Sequence, residues 1–136
     1  MRIRARHYAT GHRIDVVCER GAISSVGVPT LDRPDREAGW VAPAMFDLQI
    51  NGCDRIGFSS AQLTAENVRH VVDVCRTHGI SGLCPTLITN SFEALAHGMA
   101  TLRKACESDS VVGRAVPAEG VMMDVTPRPP RPIGVT

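Results

Sequence analysis

The sequence centres on the segment Pro43-Ala44-Met45-Phe46-Asp47-Leu48-Gln49-Ile50-Asn51-Gly52. Apolar residues recur along it and the pattern breaks at Asn51-Gly52, which predicts a buried strand that ends abruptly in a turn. Asp47, Gln49 and Asn51 are spaced by two, so a regular strand carries all three on one face. Polar groups on an otherwise apolar strand are costly to bury without partners. We therefore predict that this face looks into a site.

This segment, extended through Cys53, resembles the first barrel strand of the N-acetylglucosamine-6-phosphate deacetylases, a branch of the amidohydrolase superfamily. The run from Pro85 to Ser91 is similar to the second barrel strand of that family. Most amidohydrolases carry His-x-His as metal ligands at the end of the first barrel strand, whereas the deacetylase branch can carry Gln-x-Asn followed by Gly. The run from Gln49 to Gly52 matches that variant. The resemblance covers residues 38–107 well, the first forty weakly and the last twenty poorly.

The resemblance implies an α/β fold, namely part of a TIM-type (β/α) barrel preceded by a small β-rich segment. Residues 1–40 are expected to form half of a small β-sandwich, and residues 41–116 the first two to three β/α units. A closed (β/α)8 barrel takes about 250 residues, so a chain of 136 residues lacks most of it. Residues 117–136 hold four prolines within six positions, which exclude helix and central strand. We predict that this tail is diverged or frame-disrupted.

The resemblance also implies a reaction, the hydrolysis of N-acetylglucosamine 6-phosphate to glucosamine 6-phosphate and acetate in cytoplasmic amino-sugar metabolism. A divalent metal ion of the zinc or iron type assists this amide hydrolysis in the family. By the family match Glu119 is a metal ligand, Gln49 holds the metal-bound water and Asn51 shapes the substrate site. The two histidine ligands and the catalytic aspartate lie on later strands of the family fold. We therefore expect this chain to bind no metal and to be inactive by itself.

The composition is that of an ordinary globular protein, with 43% hydrophobic residues and a net charge of +1. This charge gives no electrostatic reason to expect a nucleic acid or a membrane surface as partner. The five cysteines are odd in number and never form Cys-x-x-Cys, which argues against a disulfide framework and a cysteine zinc site. The first residues do not resemble a signal peptide. We predict reduced thiols and a cytoplasmic location.

The hydrophobic pattern predicts a β-meander followed by alternating strands and helices. Three short strands are expected at residues 2–6, 13–18 and 22–27, with a charged surface loop at 32–36. A helix is expected over residues 65–78, with Thr64 as N-cap, and a second helix from an Asn90 cap to about Glu107. A strand at 80–87 separates the helices and another is expected at 111–116. The stripes of apolar residues that face the core are Val68, Val71, Val72 and Cys75 on the first helix, and Leu95, Met99, Leu102 and Cys106 on the second.

Other residues of catalytic type show no convincing spacing. The five histidines (7, 12, 70, 78 and 97) include no pair with metal-ligand spacing. Cys53 follows Asn51-Gly52 but has no basic residue placed to activate it, so a packed thiol is the expected role. Two alternatives to the deacetylase interpretation stay open. One is a non-catalytic fragment that associates with itself or a separate chain through exposed strand edges, and the other is a small α/β binding module.

Overall fold

The computed structural model describes residues 1–117 and the backbone of residues 122–124, and the chain divides into two compact units, Met1–Pro43 and Ala44–Thr136. The first unit contains strands only, and the second alternates strands with helices along its described part. The α/β class predicted from the sequence, with a β-rich beginning, is thereby confirmed. No helix in the described ranges is long and apolar enough to cross a membrane.

The first unit is a four-stranded sheet made of β1 (Arg2–His7), β2 (Arg13–Glu19), β3 (Ala22–Gly27) and β4 (Arg36–Val41). The order across the sheet is β3-β2-β1-β4, with β4 parallel to β1 and the other pairs antiparallel. The three predicted strands are confirmed. The sequence analysis missed β4, because Arg36-Glu37-Ala38-Gly39 has no apolar alternation and extends only by pairing with β1.

A buried carboxylate stabilises the centre of this sheet through hydrogen bonds. Asp15 of β2 is 4% exposed and accepts two hydrogen bonds from the Arg4 guanidinium, at 2.7 and 2.9 Å. The backbone N–H of Thr30 donates a third at 3.1 Å, and Arg2 lies 3.9 Å away. The Arg4 hydrogen bonds, with smaller contributions from Thr30 and Arg2, lower the pKa of Asp15 to about 2 although burial opposes them.

We expect the first unit to lose stability as the pH falls from about 4 towards 2. The pKa of Asp15 is lowered from its ordinary 3.8 to about 2, so the folded unit favours the charged form and is destabilised when that form is protonated. The Asp15→Asn variant should have a lower melting temperature at pH 7 and a weaker dependence on acid. Trp40 fluorescence reports the unfolding of this unit. Glu19→Gln, an exposed change on the same strand, should behave like the wild type; identical acid profiles for the Asn variant and the wild type would contradict the prediction.

Over its described residues the second unit contains a sheet of three parallel strands in the order β5-β8-β9. Along the chain its elements are β5 (Met45–Ile50), the hairpin strands β6 (Gly52–Cys53) and β7 (Ile56–Gly57), α1 (Ala65–Thr77), β8 (Ile80–Ile88), α2 (Phe92–Ser108), α3 (Ser110–Ala115) and β9 (Met122–Asp124). The parallel pairing of β5 and β8 through α1 is the arrangement that strand-helix-strand order favours. The strand predicted at residues 80–87 is confirmed as β8.

Helix α1 forms as predicted. Thr64 is the N-cap, and its hydroxyl accepts from the backbone N–H of Asn67 while the Asn67 side chain accepts from the backbone of Thr64. The helix ends at Thr77, and Gly79 follows with φ +80°, the left-handed conformation that glycine adopts without strain. The four residues of the predicted stripe are all buried. Local signals at both ends are therefore sufficient to define this helix.

Helix α2 begins one residue later than predicted. Ser91 is the N-cap and accepts from the backbone N–H of Ala94, whereas the predicted cap, Asn90, donates from its side chain to the backbone oxygen of Ser59 at 3.2 Å. The stripe is also shifted. Leu102 is buried as expected, but Met99 is 41% exposed, and the other buried positions are Gly98 and Ala105. A pattern based on apolar side chains cannot identify a glycine as a buried position. Here the absence of a side chain at Gly98 allows β8 and α2 to approach each other.

The strand predicted at residues 111–116 is wrong, since residues 110–115 form helix α3. The Asp109 carboxylate accepts hydrogen bonds from the backbone N–H groups of Val111 and Val112, which caps the helix. The same carboxylate forms an ion pair with Arg69 of α1. Val112 and Ala115 are buried in the core cluster of the second unit. This long-range pairing and burial outweigh the strand preference of the local valines.

Candidate functional site

The three polar residues of the central segment do not lie on one face. Asp47 pairs with Leu83 and Ile50 pairs with Pro85, so three steps of β5 lie opposite two steps of β8. This bulge shifts the alternation by one residue. Asp47 consequently lies on the same face of β5 as Ile50. Gln49 and Asn51 remain two residues apart and still share a face. The prediction of one common face is thus wrong for Asp47, whose carboxylate accepts from the backbone N–H of Gln49 at 3.0 Å.

Gln49 and Asn51 are both exposed, at the carboxyl end of β5. Their side-chain amides have no hydrogen-bond partner among residues 1–117. An amide group offers two donors and an acceptor, so this end of the strand presents two polar groups that the described part of the fold does not use. Such groups can bind water, a carbonyl group or an anion.

Strand β5 is not buried, contrary to the prediction. Met45 is 59% exposed, Phe46 49% and Leu48 72%. The reason lies in the sheet order, because β5 pairs with β8 on one side and has no strand on its other side within the described residues. An apolar strand with an open edge is a common surface for association. The Phe46 ring packs beside Gly82 of β8, where an added Cβ would overlap with it.

The loop that follows Asn51 is a tight hairpin. Gly52 has φ +130°, and Asp54 and Arg55 have φ +49° and +65°. The backbone oxygen of Asn51 accepts from the N–H of Phe58 at 3.0 Å, which closes the loop, and Phe58 is fully buried. The position of Asn51 is therefore set by this hairpin and by the core residue behind it.

The end of β8 is joined to the same loop. The Ser59 hydroxyl accepts from the backbone N–H of Ile88 at 2.8 Å, and Asn90 donates to the Ser59 backbone oxygen. The carboxyl ends of two parallel strands are thus held at one edge of the sheet, where parallel α/β folds commonly place their sites. The sequence analysis gave Pro85 to Ser91 only as a motif and did not foresee this link.

Two of the three histidines of the second unit, His70 and His97, have side-chain partners that stabilise the fold. His70 Nε2 lies 2.7 Å from Asp54 Oδ2, and His97 Nε2 donates to the backbone oxygen of Leu63 at 3.0 Å. The Asp54–His70 contact was not predicted, because it joins a hairpin to a helix and leaves no local spacing signal. It holds the hairpin against α1.

The described residues do not fit a metal centre. Within residues 1–117 no three His, Cys, Asp or Glu side chains lie close enough together to hold an ion. Glu119, the metal ligand that the resemblance implies, lies outside the described residues. Among the described residues, the groups that this end of the sheet offers for binding are therefore the hydrogen-bonding amides of Gln49 and Asn51.

Comparison with known proteins shows a relation by fold. No family model matches the sequence, and no curated protein matches it. Among solved structures, an N-acetylglucosamine-6-phosphate deacetylase from Pasteurella multocida matches 80% of this chain with TM-score 0.63 and 17% identity. The Mycobacterium smegmatis N-acetyl-D-glucosamine-6-phosphate deacetylase matches 79% with TM-score 0.67 and 22% identity. A point mutant of the latter, in complex with N-acetyl-D-glucosamine-6-phosphate, matches 79% with TM-score 0.62 and 24% identity.

These matches cover only part of the solved proteins. The chain spans 31%, 32% and 30% of their respective lengths. At such identities the likeness establishes a shared fold. It agrees with the resemblance seen in the sequence, which was based on the segments at β5 and β8.

Proposed function

We propose that this chain is part of an amidohydrolase barrel that removes the acetyl group from an N-acetylated amino-sugar phosphate. Residues 41–116 contribute the first β/α units of that barrel, and residues 1–40 half of a small β-sandwich. The observation that carries the proposal is the pair of uncommitted amides, Gln49 and Asn51, on the strand of the deacetylase-like fold that bears the Gln-x-Asn-Gly motif. A cytoplasmic location belongs to the same proposal.

The two amides suit an amide substrate. Amide hydrolysis needs a water molecule directed at the carbonyl carbon and contacts that orient the acetamido group. Gln49 holds the attacking water, since its side-chain oxygen can accept a hydrogen bond from that water while its nitrogen donates elsewhere. Asn51, held by the hairpin, borders the position of the sugar. The remaining groups of the reaction come from outside the described residues.

We expect no acetate release when the purified 136-residue chain is incubated with N-acetylglucosamine 6-phosphate. Activity should appear in a chimera in which residues 44–117 replace the corresponding segment of the Mycobacterium smegmatis deacetylase. Gln49→Ala in that chimera should reduce kcat/KM about 100-fold, the order of loss expected when a reacting group is no longer held in position. Acetate can be measured by proton NMR.

The matched control for this experiment is Gln62→Ala in the same chimera. Gln62 is an exposed glutamine whose side chain contacts Ser60 in the loop before α1. Its replacement should leave kcat/KM unchanged. A folded chimera with full activity after Gln49→Ala would remove the assigned role, and acetate release by the isolated chain that depends on Glu119 would contradict its predicted inactivity.

A second candidate is a non-catalytic chain that associates with a separate polypeptide. The specific observation in its favour is that β5 has no neighbouring strand on one side among residues 1–117 and 122–124 and exposes Met45, Phe46 and Leu48. Sedimentation velocity over a wide concentration range addresses it. A single species of monomer mass at the highest concentration would count against self-association.

A further inference from the structure

Two cysteines lie near each other in the second unit, at the hairpin that follows Asn51. Cys53 lies in β6 and is half-buried, while Cys75 lies on the buried face of α1 and is 4% exposed. Strand β6 contacts α1, and the Cys53 side chain packs against the cluster of buried residues that contains Cys75. Cys53 is close enough to Cys75 to contribute to the raised pKa of that thiol. Both are free.

The hairpin is held in this position at a second point. Asp54, the residue after Cys53, contacts His70 of α1 at 2.7 Å. His70 and Cys75 lie on the same helix, so the Asp54–His70 contact keeps Cys53 close to the helix that carries Cys75. The contact therefore limits the freedom of Cys53 relative to Cys75. Two thiols on elements that are held against each other need less movement to form a disulfide bond than two thiols on separate elements.

The two thiols differ in their surroundings. Burial raises the pKa of Cys75 to about 11, with further contributions from Cys53 and from the Asp47 carboxylate of β5. At neutral pH Cys75 is accordingly a protonated thiol in the core. Cys53 has more contact with solvent, so a small oxidant reaches it first.

We propose that Cys53 and Cys75 form a reversible disulfide bond when the chain is exposed to a peroxide, which ties the β6–β7 hairpin to α1. In the first step the Cys53 sulfur attacks one peroxide oxygen, giving a sulfenic acid and one water molecule. In the second, the Cys75 sulfur attacks the Cys53 sulfur while the Cys75 thiol proton passes to the sulfenic oxygen, which leaves as a second water molecule. The two thiols lose two electrons in total and hydrogen peroxide gains them. A dithiol such as dithiothreitol reverses the reaction by exchange.

This inference is independent of the proposed deacetylase function, because the bond needs only the two thiols and an oxidant. Its structural consequence lies next to Asn51. The bond would add a covalent link to a loop that is otherwise held by the Asp54–His70 contact and the Asn51–Phe58 hydrogen bond.

The test is peptide mapping of the purified chain after treatment with hydrogen peroxide. Trypsin places every cysteine in a different peptide, with Cys53 in residues 37–55 and Cys75 in residues 70–76. We expect these two peptides to be recovered as one linked species that dithiothreitol separates, from a chain that remains monomeric. Absence of this species would overturn the proposal, as would linkage of Cys53 to another cysteine or to a second chain.

Two cysteine variants and an oxidation in urea serve as controls for the test. Cys106→Ser, which removes another half-buried thiol, should leave the linkage unchanged, whereas Cys75→Ser should abolish it and leave a sulfenic acid on Cys53 that dimedone traps. The oxidised wild type should melt at a higher temperature than the reduced form, because the bond restricts the unfolded chain. The wild-type map decides the matter even if Cys75→Ser fails to fold. A linkage that forms only in urea would show that the folded chain does not bring the thiols together.

Discussion

Gly52→Ala is expected to destabilise the second unit by about 2–5 kcal/mol, from left-handed backbone strain together with steric overlap. Gly52 has φ +130°, and a Cβ at this position would overlap with the backbone oxygen of Ile56 in the facing strand of the hairpin. Neither atom can move without breaking the pairing of β6 with β7. The hairpin should open, and the hydrogen bond between Asn51 and Phe58 should weaken with it.

The measurement is urea unfolding followed by circular dichroism at 222 nm. The chain's one tryptophan and one tyrosine, Trp40 and Tyr8, belong to the first unit, whereas the helices of the described residues belong to the second. The helical signal therefore reports the second unit, and Trp40 fluorescence, which reports the first, should not change.

Two further glycines of the second unit serve as controls for Gly52→Ala. Gly57→Ala in the same hairpin has room, because its nearest neighbour is the Asn51 backbone oxygen at 3.9 Å, and should be nearly neutral. Gly79→Ala has φ +80° and open space, so it measures backbone strain alone, about 1–2 kcal/mol. Equal stability of the Gly52 and Gly57 variants would show that the hairpin is not as tight as the structure has it.

Leu87→Ala should cost about 2–5 kcal/mol, the range for removing a large side chain from a close-packed core. Leu87 lies on β8, is fully buried, and belongs to the cluster that joins β8 to the three helices. Its methyl groups lie directly against Gly98 of α2, at a distance where an added Cβ would meet Leu87 Cδ2 at 2.9 Å. The backbones on either side are held by many contacts, so the cavity can collapse only in part.

The matched control is Leu48→Ala on β5. The same atoms are removed, but Leu48 is 72% exposed, so the expected change is within about 0.5 kcal/mol. Both variants are compared by urea unfolding at 222 nm. If the Leu48 variant loses as much stability as the Leu87 variant, β5 is covered in solution, and the associating-chain candidate gains support.

Helix α1 and helix α3 show where prediction from sequence succeeds and where it fails. Thr64, the apolar stripe and Gly79 are local signals that lie within α1 or next to its ends. They are therefore sufficient to predict α1 from the sequence. For α3 the deciding group is Asp109, which both caps the helix and pairs with Arg69, forty positions earlier. The run of valines points locally to a strand, and no local pattern could reveal that partner.

The candidate site likewise combines features that the sequence predicts with features that depend on tertiary structure. The spacing of Gln49 and Asn51 and the turn at Gly52 could be read from the chain, because a strand end and a glycine turn are local features. The position of Asp47 on a different face from Gln49 and Asn51 could not be predicted from the sequence, since it follows from the register of β5 on β8. The Asp54–His70 contact and the proximity of Cys53 to Cys75 involve residues that are distant in sequence, so they could not be predicted.

The sequence by itself determined the α/β class, the meander of β1 to β3, both long helices and the positions of β5 and β8, because periodicity, caps and turns act over short distances. The tertiary structure alone decided that β5 is exposed, that Ser91 caps α2, that residues 110–115 are helical and which residues border Asn51. Each of these depends on pairing or burial between segments far apart in the chain. Such long-range terms exceed local preferences of a few tenths of a kcal/mol per residue.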